Sequence, residues 1–160
     1  MKLPVLVEQP ILQVNNVNKL YGINRGCQEI SFDLYPGEVL GIVGESGSGK
    51  STLLKSLSGE CPPEVGDILF KALNGESLNL YEVDEARRRL LMRSEFGIVK
   101  QNPRDGLRLS VSAGANIGER LMAVGNRHYG DIRGAASNWL QQVEIETERI
   151  DDFPESFSGG

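Results

Sequence analysis

Histidine and cysteine are scarce in this sequence, which contains one histidine, His128, and two cysteines, Cys27 and Cys61. Neither cysteine belongs to a C-x-x-C pair, and no histidine stands at metal-ligand spacing from either of them, so a zinc site is not indicated. We expect two free thiols in a reducing compartment. A catalytic role for His128 is the minor alternative, because no nucleophile or carboxylate is spaced around it as a partner.

Long apolar runs and excess positive charge are also lacking. No run approaches the roughly 18 apolar residues of a membrane span. The opening segment, Met1–Glu8, is too short and too early interrupted for a signal peptide. The net charge of −5 argues against nucleic-acid binding. We therefore expect a cytoplasmic protein with no nucleic-acid partner and no direct membrane insertion.

Glycine, in contrast, is abundant, with 19 residues in a chain of 160. One glycine-rich stretch reads Gly44-Glu45-Ser46-Gly47-Ser48-Gly49-Lys50-Ser51-Thr52. It follows the apolar run Val39–Val43 and precedes the helix-like Leu53–Leu57. This is the pattern G-x-x-x-x-G-K-[ST] between a strand and a helix, which is the context that a phosphate-binding loop requires.

Each residue type in this loop has a physical reason to be there. Gly44, Gly47 and Gly49 have no Cβ, so the backbone can turn tightly and bring its N–H groups to phosphate oxygens. The helix that begins near Lys50 directs the positive end of its dipole at the same phosphates. Lys50 can reach the β- and γ-phosphates, and the Ser51 hydroxyl can ligate Mg²⁺. The sequence therefore predicts nucleotide binding.

The hydrophobic periodicity predicts an α/β core followed by helices. Strands are predicted over Ile11–Val17, Glu29–Leu34, Val39–Val43, Gly66–Phe70 and Phe96–Lys100. The near-continuous apolar run at Val39–Val43 favours a buried strand of a parallel sheet. Asn74–Ser77 reads as a polar turn. Helices are predicted from Lys50 to near Gly59, over Val83–Met92, about Val111–Val124 and about Ile132–Val143.

This order of segments resembles the ATP-binding cassette (ABC) ATPases. In that resemblance Tyr21 corresponds to the aromatic residue that stacks on adenine, and Gly44–Thr52 corresponds to the Walker A loop. Gln101 corresponds to the Q-loop glutamine, which helps to hold Mg²⁺ and senses the γ-phosphate. The resemblance therefore implies ATP and Mg²⁺ as ligands, with Ser51 and Gln101 beside the metal.

The end of the chain carries a further element of the resemblance. Ser158, Gly159 and Gly160 match the start of the LSGGQ signature, with Phe157 in place of the leucine. Family members present that signature across a dimer interface to the ATP bound by the partner. A second ABC subunit, identical or related, is therefore an expected partner.

The implied fold is an α/β P-loop NTPase of ABC type. It has a β-strand pair and a parallel-sheet core, with a helical subdomain inserted after the Q-loop. Residues 1–101 correspond to the N-terminal part of the core, 102–157 to the helical subdomain and 158–160 to the start of the signature. The Walker B carboxylates and the switch histidine of the family have no counterpart, so the C-terminal part of the core is expected to be missing. We expect these 160 residues alone to bind Mg²⁺–ATP weakly and to hydrolyse it negligibly, with no catalytic residue of their own.

Within the family, six segments resemble the ATP-binding subunits of the bacterial carbon–phosphorus lyase system, which breaks down phosphonates. They are Asp105–Arg108, Val111–Gly114, Asn116–Ala123, His128–Arg133, Val143–Ile145 and Arg149–Asp152. The implied function is an ATPase whose cycle is coupled to the lyase core subunits. Two alternatives stay open: the ATPase of an ABC importer of the oligopeptide or nickel type, and an assembly subunit in which ATP binding without turnover fixes the dimer.

Overall fold

The computed structural model describes residues 9–22 and 25–157. The chain divides into two compact units, Met1–Glu95 and Phe96–Gly160. The division falls between Glu95 and Phe96, whereas the sequence predicts a boundary after Gln101. In the described part of the chain, no helix is both long enough and apolar enough to cross a membrane.

The first unit contains a four-stranded antiparallel sheet. Its strands are β1 (Leu12–Leu20), β2 (Gly26–Leu34), β3 (Val65–Lys71) and β4 (Ser77–Asn79). The strand order is β2-β1-β3-β4, and each neighbouring pair is antiparallel. The predicted strands at Ile11–Val17, Glu29–Leu34 and Gly66–Phe70 are confirmed as β1, β2 and β3. The prediction of a turn through Ser77 was wrong at its end, because Ser77 pairs with Lys71 and starts β4.

A bulge in β1 allows one face of the sheet to stay apolar. Leu12, Val14 and Val17 are all buried, although strict alternation would place Val17 on the opposite face from Val14. The pairing register shifts between Val14 and Val17, and Asn16 adopts a positive φ of 48° there. The extra residue therefore returns Val17 to the buried face.

The parallel part of the predicted core does not form among the described residues. Val39–Val43 lies outside regular secondary structure, and so does all of Phe96–Lys100. Val39 is 95% exposed and Val43 is 93% exposed, so the prediction of a buried strand here was wrong. A strand exists only through hydrogen bonds to a neighbouring strand, and no described segment forms a ladder with either stretch.

Two helices complete the first unit: α1 (Lys50–Leu57) and α2 (Glu85–Ser94). Helix α1 buries Leu53 in the core. Helix α2 begins after Asp84, whose carboxylate accepts a hydrogen bond from the Arg87 N–H at 2.8 Å. Both helices were predicted, α1 from the phosphate-loop pattern that precedes it and α2 from acidic residues at its start followed by arginines.

The second unit is helical. It consists of α3 (Ala113–Ala123) and α4 (Tyr129–Gln142), with short 3₁₀ helices at Pro103–Gly106, Thr147–Asp151 and Pro154–Ser156. Ala136, Leu140 and Ile150 form its buried core. The two predicted helices are confirmed, with ends that differ by a few residues.

Two glycines let α3 pack closely against its neighbours. A Cβ on Gly114 would lie 2.5 Å from Ile150 Cγ1 and 3.1 Å from the Ile150 carbonyl oxygen. A Cβ on Gly118 would lie 2.5 Å from Ile132 Cγ2. Helix α3 therefore approaches these residues at a distance that only glycine permits.

We predict that Gly114→Ala destabilises the full-length protein by about 1–3 kcal/mol, because the added methyl group overpacks the contact with Ile150. Gly134→Ala is the matched control, since Gly134 lies within α4 and a Cβ there would have nothing within 4 Å. The control should gain up to about 1 kcal/mol from helix propensity. Urea unfolding, followed by circular dichroism, measures the free energy of unfolding of both variants. Equal effects of the two substitutions would contradict the close packing of α3.

Candidate functional site

The glycine-rich loop is held against the sheet at Gly49. This residue precedes α1 and has a left-handed backbone with φ 92°. A Cβ there would lie 2.0 Å from the carbonyl oxygen of Gly26, the first residue of β2. Backbone thus contacts backbone at this point, and any side chain on Gly49 would separate the loop from the strand.

The N-terminus of α1 presents donors without acceptors. The Gly49 cap provides no side-chain hydrogen bond, and the first turn of the helix has no acidic residue. Among the residues that the structure describes, none accepts a hydrogen bond from the backbone N–H of Lys50, Ser51 or Thr52. These N–H groups and the helix dipole make a site for an anion.

The Lys50 ammonium lies within the loop itself. It donates to the carbonyl oxygens of Gly44 at 2.7 Å and Glu45 at 2.6 Å, and to Ser48 Oγ at 3.2 Å. An ammonium has three N–H donors, so these contacts satisfy all of them. The cation is thus already positioned at the loop that the helix N-terminus faces.

A cleft of about 650 Å³ opens beside this loop, within the volume range of small-molecule sites. Its lining combines the loop with the end of the β1–β2 connection: Tyr21, Arg25, Gly26, Ser46, Gly47, Gly49, Lys50, Ser51 and Thr52. The structure therefore brings the predicted base-stacking residue and the predicted phosphate loop to one cleft. Arg25 and Gly26 were not predicted, since they lie at the start of β2 outside any motif.

Tyr21 has one polar partner and one cationic neighbour. Its side chain is half exposed, and its Oη lies 3.0 Å from Cys61 Sγ. The Lys19 ammonium lies 5.7 Å from the centre of the ring, within the range of a cation–π contact. The hydrogen bond with Cys61 is the main cause that raises the pKa of Tyr21, so the phenol is neutral at physiological pH.

The predicted metal ligands are one hydroxyl and one amide. Ser51 is exposed in the first turn of α1 and lines the cleft. Its hydroxyl suits Mg²⁺, which prefers oxygen ligands and is often held by few protein groups together with phosphate oxygens. The described residues contain no cluster of three or more His, Cys, Asp or Glu side chains that would bind a metal by itself.

The remaining predicted residues belong to the second unit. Gln101 is exposed and directly precedes Asn102, whose side-chain oxygen accepts from the Arg104 N–H at 3.1 Å. Ser158, Gly159 and Gly160 lie outside the described residues. His128 caps α4 by accepting from the Asp131 N–H at 3.2 Å, which gives it a structural role.

Comparison with known proteins identifies the family. The sequence profile of the ABC transporter family matches residues 27–160. The chain belongs to the ABC transporter family. Among solved structures it resembles the dimeric post-hydrolysis state of the ATP-binding cassette MJ0796 bound to ADP and Pi, with a TM-score of 0.76 and 24% identity over 92% of this chain and 63% of that one. This likeness places the fold among the ABC-type P-loop NTPases.

The sequence identity of this ABC chain to two curated relatives differs by almost a factor of two. It is 58% identical to the putative phosphonates utilization ATP-binding protein PhnK of Escherichia coli K12, over 96% of its own length and 59% of PhnK. It is 31% identical to a putative peptide import ATP-binding protein of Brucella ovis, over 97% of its own length and 48% of that protein. The chain thus spans about half to three fifths of the length of these relatives.

We predict that Gly49→Ala destabilises this ABC protein more than Gly47→Ala. Both glycines have a positive φ, of 92° and 84° respectively, so each substitution incurs the cost of a left-handed L-residue, about 1–2 kcal/mol. Only Gly49 also faces the Gly26 carbonyl, since nothing lies within 4 Å of a Cβ on Gly47. The urea midpoints of the two variants of the full-length protein measure their stabilities. A loss of stability in Gly47→Ala as large as that in Gly49→Ala would contradict the contact.

Proposed function

We propose that this chain is the ATP-binding part of an ABC ATPase that serves phosphonate utilisation. The observation that carries the proposal is the 58% identity to E. coli PhnK over almost the whole chain, against 31% to the peptide import protein. A gap of this size between two relatives of the same family favours the phosphonate system.

ATP binding is supported by the geometry of the cleft. The open N–H groups at the start of α1 and the Lys50 ammonium provide positive charge where the β- and γ-phosphates would lie. The Tyr21 ring lines the same cleft and offers a face for the adenine. The whole loop, Gly44–Thr52, would bind the phosphates in the same way, because its residues form the backbone that carries these N–H groups and Lys50.

Mg²⁺ would be held by the Ser51 hydroxyl together with the phosphates, and the family resemblance is what assigns Gln101 to the same ion. The ion would supply charge neutralisation on the β- and γ-oxygens during phosphoryl transfer. The residues of this chain bind and orient the triphosphate in that scheme. Hydrolysis is proposed for the whole protein as an ABC ATPase, and we assign no water-activating residue within this chain.

The proposed partners are a second ABC subunit and the subunits of a carbon–phosphorus lyase core in the cytoplasm. The dimeric structure of the MJ0796 cassette supports dimerisation. In such a dimer Ser158, Gly159 and Gly160 would contact the ATP of the partner. The helical unit after Gln101 would carry the docking surface for the lyase.

An importer ATPase is the second candidate function, and the likeness to a putative peptide import protein is the observation that favours it. Affinity purification of the full-length protein from cells grown on a phosphonate distinguishes the two functions. We expect mass spectrometry to identify lyase subunits. Recovery of a membrane permease in their place would overturn the proposal in favour of an importer.

We predict that Lys50→Ala weakens ATP binding by the full-length protein at least about tenfold, because it removes charge-assisted hydrogen bonds to phosphate. Lys55→Ala is the matched control, since Lys55 is an exposed lysine on the same helix. Isothermal titration with a non-hydrolysable ATP analogue measures both variants. Growth on a phosphonate as sole phosphorus source should be lost with Lys50→Ala and retained with Lys55→Ala; growth with both would favour an assembly role without nucleotide turnover.

A further inference from the structure

We infer that Cys61 is a positioning residue that holds the Tyr21 ring in the base subsite through the Tyr21 Oη–Cys61 Sγ hydrogen bond. The inference rests on the proposed function, because it assumes that Tyr21 contacts the base of the bound nucleotide. Cys61 then has a specific role, whereas the sequence predicts only a free thiol.

Tyr21 and Cys61 are far apart in sequence, with a separation of 40 residues, and meet at 3.0 Å. The same tyrosine lines the cleft of the phosphate loop. Its neighbour Lys19 is 5.7 Å from the ring centre and pairs with Glu64 at 3.5 Å. The bond to the thiol therefore fixes the far edge of the ring, while Lys19 lies over its face.

Cys61 is itself held in place by the end of α1. Its N–H donates to the Lys55 carbonyl at 3.1 Å, and its own carbonyl accepts from Tyr81 Oη at 2.8 Å. Tyr81 Oη also lies 2.7 Å from the Ser56 carbonyl. Burial raises the pKa of Tyr81 to about 12, so its hydroxyl keeps the proton that it donates here. The thiol thus projects from a turn that is fixed to the helix.

The direction of the Tyr21–Cys61 bond follows from the second contact of the sulfur. Cys61 Sγ lies 4.0 Å from the Pro62 carbonyl oxygen, which can only accept. We therefore assign the thiol proton to Pro62 and the phenol proton to the sulfur. In this arrangement Tyr21 donates, and a serine hydroxyl at position 61 would still offer an acceptor to the phenol, although it is too short to keep the 4.0 Å contact with the Pro62 carbonyl.

This arrangement joins the two halves of the nucleotide site through one helix. The N-terminus of α1 carries Lys50 and the open N–H groups, and the turn beyond its C-terminus carries Cys61. The base-contacting ring and the phosphate loop are therefore both fixed relative to α1. A ring that is ordered before binding loses less rotamer freedom when the base arrives.

The test is a double-mutant cycle on the full-length protein, with Cys61→Ala, Tyr21→Phe and the combination of the two. We expect each single substitution to raise the Kd for an ATP analogue about three- to fivefold, as the loss of one neutral hydrogen bond predicts. The combined variant should lose no more affinity than either single variant, because the two substitutions remove the same hydrogen bond. Cys61→Ser should lose less affinity than Cys61→Ala, because its hydroxyl keeps an acceptor for the Tyr21 phenol.

Inorganic triphosphate is the control ligand, since it occupies the phosphate loop and has no base. Its Kd should not change in any of these variants. The positioning role would be overturned if Cys61→Ala weakened the binding of triphosphate as much as that of the ATP analogue. It would also be overturned if the effects of Cys61→Ala and Tyr21→Phe on the Kd for the analogue were additive. A wild-type Kd for Cys61→Ala alongside weaker binding by Tyr21→Ala would overturn this inference alone; an unaffected Kd in both Tyr21→Ala and Lys50→Ala would overturn the proposed function as well.

Discussion

The contact between Gly49 and the carbonyl of Gly26 is the constraint on which the candidate nucleotide site depends. With 2.0 Å between a hypothetical Cβ and that oxygen, only glycine lets the loop rest on the start of β2. This contact sets the position of the first turn of α1 relative to the antiparallel sheet. Because α1 is also followed by the turn with Cys61, the same helix leads to the thiol that contacts Tyr21.

The loop is held together by hydrogen bonds within itself. Lys50 uses the carbonyl oxygens of Gly44 and Glu45 and the Ser48 hydroxyl as acceptors, so the ammonium is not left without partners. In the proposed function, nucleotide binding would exchange these acceptors for phosphate oxygens. The net gain from such an exchange is smaller than the gross energy of the new bonds, in the same way that folding exchanges bonds with water for internal bonds. The N–H groups of the first turn have no such internal acceptor among the described residues. Each of them would therefore gain more free energy from a phosphate oxygen than the Lys50 ammonium would.

Local features of the sequence predicted much of this structure. The phosphate loop, three strands and four helices are each specified by residues close together in the chain, through spacing, caps and periodicity. The stretches Val39–Val43 and Phe96–Lys100 could not be predicted in this way, since an apolar run becomes a strand only when another segment pairs with it. For the same reason the sequence did not indicate that Tyr21 and Cys61 meet, or that Arg25 lines the cleft. Contacts between distant residues are decided by the fold.

A crystal structure of the full-length protein with Mg²⁺ and a non-hydrolysable ATP analogue would test the account most directly. We expect the β- and γ-phosphates at the N–H groups of Lys50, Ser51 and Thr52. The Lys50 ammonium should have moved from the Gly44 and Glu45 carbonyls to the phosphate oxygens, and the adenine should lie on Tyr21. A nucleotide bound elsewhere, or a Lys50 that keeps its contacts with the loop carbonyls while the triphosphate is present, would contradict the account.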